Sequence, residues 1–287
     1  MLERKQRRWR FLTLGDVMKL AKEQTTESVW HDSLNDPMLV TSDRLSGQDF
    51  SCRYDDGTSY TWHFENERWL TYTASDGRTG RELYNASPAA GYPNVLLVHH
   101  YCSLPIPGCL DLFLDLDTGY TVLFDASLGH PDSPREVIRS IRFGTIDGIT
   151  PDPAAEKPWY TNDLTGKAIR WCHPGTGGKG RGIKYIFSAY CYLTYVMSFP
   201  DRGICWIATN PCDQIKLRDD LYICSTIEER QTGVELIMLM NLSLMRDVQT
   251  EFGIGGPTED STRLETAMHS GREGFWTTMD TDLYTVG

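Results

Sequence analysis

The chain contains no C-x-x-C, no H-E-x-x-H and no paired cysteine–histidine spacing of the zinc type, so a metal site would have to be assembled from residues distant in sequence. No metal is expected. Its eight cysteines, Cys52, Cys102, Cys109, Cys172, Cys191, Cys205, Cys212 and Cys224, are too sparse for the disulfide framework of a small secreted module. No stretch approaches the roughly 18 uncharged apolar residues of a membrane span. Basic charge is short as well: 28 Lys+Arg face 39 Asp+Glu, and the formal charge of -11 opposes attraction to polyphosphate or anionic lipid. Neither nucleic acid nor membrane is expected as a partner.

Several catalytic signatures are absent or fail on context. Gly175-x-Gly177-x-x-Gly180 satisfies a dinucleotide fingerprint literally, but it follows His173-Pro174 and leads into the strand-like run Ile183 to Phe187 instead of opening a helix. Lys179 lacks the following serine or threonine of a phosphate-binding loop. There is no G-x-S-x-G elbow for an acyl-transfer serine. No cofactor is implied. The first ten residues gather Arg4, Lys5, Arg7, Arg8 and Arg10 against Glu3, yet Phe11 to Val17 is broken by Thr13, Gly15 and Asp16 and makes no export signal. A cytoplasmic protein is expected.

What the 287 residues do hold is a globular profile, 40% hydrophobic and 11% aromatic, with length for about two domains. Leu14, Val17, Met18 and Ala21 follow helical spacing behind a loose capping box, Thr13-x-x-Asp16. From Gly47 onward the texture turns to short apolar or alternating runs punctuated by Asp55-Asp56-Gly57, Ser75-Asp76-Gly77 and Asp117-Thr118-Gly119, as in antiparallel hairpins. Ser133-Pro134-Arg135-Glu136 predicts a short helix stopping at Gly144, and Asp147 to Lys157 has the proline content of a linker. The pattern then restarts, because Leu164-Thr165-Gly166-Lys167 echoes Leu45-Ser46-Gly47-Gln48 and Leu221–Val234 echoes Leu97–Leu110.

Short, numerous strands in each half predict a mainly β chain of two tandem closed, lipocalin-like antiparallel β-barrels with a few short helices, a β-sandwich being the alternative. The expected organisation is a basic tail and helix over 1–44, a first barrel over 45–146, a linker over 147–162, a second barrel over 163–254, and a helix and tail over 255–287. Thr262-Arg263-Leu264-Glu265 supplies the capping box for that last helix.

Gly47-x-x-Phe50, Tyr54-Asp55-Asp56-Gly57-x-x-Tyr60-x-Trp62-x-Phe64 and Leu110-Asp111-Leu112-Phe113-Leu114-Asp115-Leu116-x-x-Gly119 resemble the first domain of the molybdenum-cofactor biosynthesis protein F family. The second half is similar to that family's C-terminal domain through Leu164-x-Gly166, Asp219-Asp220-Leu221-Tyr222, Glu228 and Phe252-Gly253. The resemblance implies two calycin-type barrels and no defined activity. The chain departs from the pattern between Tyr185 and Tyr195, which lacks histidine, and at Thr226, near an expected tryptophan.

Strand alternation places Tyr60, Trp62 and Phe64 on one face, expected to point inward, and separates His99 and Tyr101 from His100 and Cys102. An inward His99–Tyr101 pair can move a proton or stabilise negative charge without a cofactor. His100 is the candidate if the other face is inside. Glu228 shares a face with Tyr222 and Cys224, and a desolvated carboxylate there can serve as acid or base. Arg53 can grip an acidic substrate group with its planar fork, while Tyr195 and Trp206 can line a cavity in the second barrel. The predicted activity is a cofactor-independent lyase, isomerase or cyclase acting on a small hydrophobic or aromatic metabolite; the alternative is a non-catalytic carrier of such a ligand, and a homodimer is compatible with either.

Overall fold

The computed structural model describes residues 13–30, 39–103, 106–128, 137–173, 181–199, 203–228, 234–258 and 261–279. The opening segment behaves as its spacing predicts. Helix α1 (Leu14–Glu23) starts at Thr13, whose hydroxyl accepts from the Asp16 backbone N–H at 3.2 Å while the Asp16 carboxylate accepts from the Thr13 N–H at 3.0 Å. A single turn, α2 (Thr26–Val29), follows.

Eight antiparallel strands then form a closed barrel: β1 (Asp49–Tyr54), β2 (Ser59–Phe64), β3 (Trp69–Ala74), β4 (Thr79–Ala89), β5 (Tyr92–Cys102), β6 (Gly108–Asp115), β7 (Tyr120–Leu128) and β8 (Val137–Ile146). Each strand pairs with the next, and β8 returns to β1 with Cys52 opposite Ile146 and Tyr54 opposite Gly144. Gly144 is therefore a strand residue. The helix expected to end there is replaced by β8, and its capping segment Ser133 to Glu136 lies outside the described residues. A Cβ on Gly144 would sit 2.1 Å from the Arg53 carbonyl oxygen, so the glycine is what lets β8 lie against β1.

After β9 (Trp159–Tyr160) the meander repeats with β10 (Ala168–His173), β11 (Arg181–Ala189), β12 (Tyr192–Phe199), β13 (Gly203–Arg218), β14 (Leu221–Ile227), β15 (Val234–Asn241), β16 (Arg246–Thr258) and β17 (Ser261–Thr277). Consecutive strands pair, and β17 closes on β10 with Trp171 opposite Gly274. The C-terminal helix expected from Thr262 to Gly271 is thus the closing strand. A local capping signal lost there to topology, because omitting β17 would leave one edge of β10 and one edge of β16 unpaired. The segment expected to be a linker is pinned by β9, which pairs with β13 and sets Trp159 and Tyr160 at 4.6 and 5.3 Å from the Phe143 ring.

The echoed tetrapeptides make the same turn twice. Gly47 and Gly166 adopt φ of 76° and 81°, and their N–H groups donate to Phe64 and Phe187 carbonyls at 2.7 and 2.9 Å. Leu45 and Leu164, each four residues ahead of the strand that follows (β1 and β10), are wholly buried and belong to the interior cores of the two barrels.

The two barrels pack side by side. Alternate residues of β5 to β8 that point out of the first barrel, including Val95, Leu97, Phe113 and Phe124, meet Ile215, Ile223, Ile237, Leu239 and Met268 from the outside of the second. Strands β6 and β14 are consequently buried on both faces. Arg139 of β8 reaches across this seam to Asp213 and to Glu235, the latter at 3.3 Å. No helix among the described residues is long and apolar enough to cross a membrane.

Candidate functional site

The paired histidines of β5 point in opposite directions, as strand alternation requires, but the assignment is the reverse of the favoured one. His100, not His99, faces the interior of the first barrel. It lies beneath Trp62, whose indole N–H donates to His100 Nε2 at 3.1 Å, while His100 Nδ1–H donates to the Tyr101 carbonyl at 3.0 Å. Burial lowers the His100 pKa to about 4 and keeps the ring neutral. Tyr60 stacks on Trp62 at 5.4 Å, and Tyr72 lies 5.1 Å from the imidazole. With Phe64, Leu70 and Tyr84 these rings occupy the barrel's interior.

His99 and Tyr101 instead lie in the seam between the barrels, because they occupy the outward face of a strand that the second barrel covers. His99 is completely buried; its Nδ1 bonds Asp111 Oδ1 at 2.7 Å, its Nε2 bonds the Thr266 hydroxyl, and Trp30 stands edge-on at 5.4 Å. Tyr101 packs on Phe252 and its hydroxyl has no hydrogen-bond partner. Donor atoms of His99, Cys109 and Asp111 fall within 4.8 Å of one another, the closest approach to a metal-ligand set among the described residues. They already satisfy each other: both His99 nitrogens are engaged, and the Cys109 thiol donates to Asp111 Oδ2 at 3.5 Å. The cluster joins barrels.

Arg53 is also displaced from the role expected of it. It points outward from β1, between inward Cys52 and Tyr54, and pairs with Asp147 at 2.7 Å in an exposed ion pair. The arginines that do reach the first barrel's rim are Arg78 and Arg142. Arg78 donates to both oxygens of Asp125, at 3.0 and 2.6 Å, and to the Tyr60 hydroxyl at 2.6 Å; Arg142 adds a bond to Asp125 Oδ2 at 3.0 Å. Tyr60 is therefore held in a charged cluster at the rim.

A cavity opens in the second barrel. Its volume is about 290 Å³, and its wall is formed by Ile183, Tyr185, Tyr195, Met197, Val234 and Leu236 together with Thr226, Glu228, Gln249 and Glu251. Period-two alternation builds it: Tyr222 and Cys224 of β14 fill the lower interior, and Thr226 and Glu228 continue the same face upward into the cavity. Glu228 is only 5% exposed and accepts from the Tyr195 hydroxyl and from Asn210 Nδ2, the latter at 3.4 Å. Its own backbone N–H donates to the Val234 carbonyl at 2.8 Å, which fixes the carboxylate just past the end of β14. Trp206 pairs through its backbone with Met197, and its side chain lies outside the described residues, as does the Gly175–Gly180 loop.

The structure thus brings Glu228 and Tyr195 together in a cavity, separates His99 and Tyr101 from His100, and leaves Arg53 outside. Residues not expected from the sequence complete these sites: Asn210, Gln249 and Glu251 in the second barrel, Asp111 and Thr266 around His99, and Arg78 and Asp125 at the first rim. Alternation in Asp247-x-Gln249-x-Glu251 was the available signal for the cavity wall. Thr266 was hidden by the helix expected over its segment, and Asp111 could be matched to His99 only through the register that sets them opposite each other on β5 and β6. No family model matches the chain, and no curated protein matches it.

Proposed function

We propose that the protein binds a small apolar or aromatic metabolite in the second barrel and converts it, without a cofactor, as a lyase, isomerase or cyclase. The observation that carries this reading is a carboxylate, Glu228, almost wholly removed from water yet part of the wall of a cavity large enough for a bicyclic molecule, with the Tyr195 hydroxyl hydrogen-bonded to it. In this arrangement Glu228 takes a proton from a bound substrate, or returns one, and Tyr195 steadies the carboxylate during the transfer. The first barrel supports the second across the seam. Kinship with the molybdenum-cofactor biosynthesis protein F family and the calycins, and work in the cytoplasm as a single chain or homodimer, belong to the same proposal.

The test is incubation with a library of small aromatic and cyclic metabolites in the absence of added cofactor, read by mass spectrometry. A product of unchanged mass, or two products whose masses add to that of the substrate, is expected, and Glu228→Gln is expected to slow its formation about 100-fold or more while ligand binding persists. Two donors already rest on Glu228, which favours a second reading, the carrier: a ligand that binds and is recovered unchanged from both wild type and Glu228→Gln supports the carrier and excludes the enzyme.

A further inference from the structure

The seam between the barrels gathers more carboxylates than cations. Arg139 of β8 divides its guanidinium between two acids of the second barrel: Nη2 donates to Asp213 of β13 in a close ion pair, and Nη1 donates to Glu235 of β15 at 3.3 Å. Asp111 of β6 lies near enough for its charge to act on Glu235, and it is engaged by His99 of β5 and by the Cys109 thiol. No other lysine or arginine pairs with these three acids among the described residues. One guanidinium therefore serves two carboxylates with a third close by. Asp213 keeps 33% of its side chain exposed and has the closer contact, whereas the Glu235 side chain is 1% exposed and its Oε2 is buried without a hydrogen-bond partner. Excess negative charge in a dry interface is relieved by a proton on the acid that is buried most deeply and paired least well. That acid is Glu235. Burial pushes its carboxyl up to about 7 against the pull of Arg139, and the charge of Asp111 adds to the rise.

We propose that Glu235 is a proton-operated latch between the two barrels: protonated, it lets the seam close around Arg139, and ionised, it leaves uncompensated negative charge there and weakens the docking. The sign follows from where the proton is held. In an unfolded or undocked chain the carboxyl ionises at its ordinary value of 4.5, so between that pH and about 7 the docked state keeps a proton that the open state has lost. The stabilisation is complete below 4.5 and declines as pH rises to about 7. His100 acts in the opposite direction, but it sits inside the first barrel and is separated from Glu235 by substitution. Of the other groups around the latch, Tyr160 of β9 lies beyond Asp213, and the Cys109 thiol of β6 is held protonated by burial; β14 and β16 set Ile227 and Phe252 opposite Glu235. Period two gives the latch its place behind the cavity, since Val234 and Leu236, on either side of Glu235, belong to the cavity wall.

Two measurements on the full-length chain test the latch. Carbon-13 NMR of the Glu235 side-chain carboxyl, assigned by through-bond correlation to its own backbone, follows the proton directly. In the wild type a midpoint near 7 is expected, and Asp213→Asn, which leaves Arg139 wholly to Glu235, is expected to lower it by about one pH unit or more. Urea denaturation at pH 5.5 and pH 8 reads the docking: from the lower to the higher pH, the folding equilibrium constant of the wild type relative to Glu235→Gln is expected to fall roughly 30-fold. A wild-type midpoint in the ordinary carboxylate range, or one that Asp213→Asn leaves in place, overturns the latch, as does an equal response of wild type and Glu235→Gln to pH.

Discussion

At the scale of single residues, the same chemistry has opposite meanings a few ångströms apart. His99 and His100 are adjacent and both buried, yet one bonds Asp111 and Thr266 in the seam and the other is a neutral acceptor under Trp62. The second arrangement makes stability depend on pH with a definite sign. His100 has a pKa of about 4 in the folded chain against about 6.5 in an unfolded one, so the folded state holds fewer protons between those values. Its contribution is complete above about pH 6.5 and is lost as pH falls through 4, to a total of about 3 kcal/mol at 1.36 kcal/mol per pH unit. Chemical denaturation of wild type and His100→Gln at pH 7 and pH 4.5 measures it. The stability difference between the two proteins is expected to shift against the wild type by about 2–3 kcal/mol at the lower pH; an unchanged difference would mean that His100 is already charged or exposed. Alternation showed that these two histidines face apart, but their residue types gave no means of deciding which face a second barrel would cover.

Among the elements, what was readable followed from local chemistry and what was not depended on closure. The α1 cap, the glycine-bearing hairpins and the duplicated Leu-x-Gly turn are each specified within about four residues by hydrogen bonds that the segment makes to itself or to its neighbour. The final strand of each barrel is specified by partners far away in sequence. Ser133-Pro134-Arg135-Glu136 and Thr262-Arg263-Leu264-Glu265 carry helix-opening signals, yet Val137–Ile146 and Ser261–Thr277 are the strands that remove the edges of β1, β7, β10 and β16. Period two was present in the second of these, where Leu264, Thr266 and Met268 face the seam, but the capping box outweighed it. Gly144 gives the element-scale test. In Gly144→Ala the new methyl meets the Arg53 carbonyl and the Tyr54 ring, so β1 and β8 must separate locally. Hydrogen exchange is expected to accelerate at Cys52 to Tyr54 and at Gly144 to Ile146 while the second barrel keeps its protection; uniform protection would show that this pairing tolerates a side chain.

For the molecule as a whole, two barrels of the same meandering strand order have different interiors. The first is occupied by Tyr60, Trp62, Phe64, Tyr72 and Tyr84 around His100, with an arginine-and-aspartate cluster at its rim. The second fills its lower half with Trp171, Phe187, Leu193 and Met240 and leaves the upper half as the cavity of Glu228 and Tyr195. Strands buried on both faces, such as β6 and β14, hold the two together, and Arg139 crosses between them to Asp213 and Glu235. A ligand site in the second barrel, backed by a packed first one, is the claim on which the functional account depends. Xenon tests it most directly, because xenon under pressure enters apolar cavities without needing a matching hydrogen bond. A xenon-pressurised crystal is expected to show bound gas against Ile183, Tyr185, Met197 and Leu236 in the second barrel. Xenon absent from that position, or found only among the rings around His100, would contradict the account.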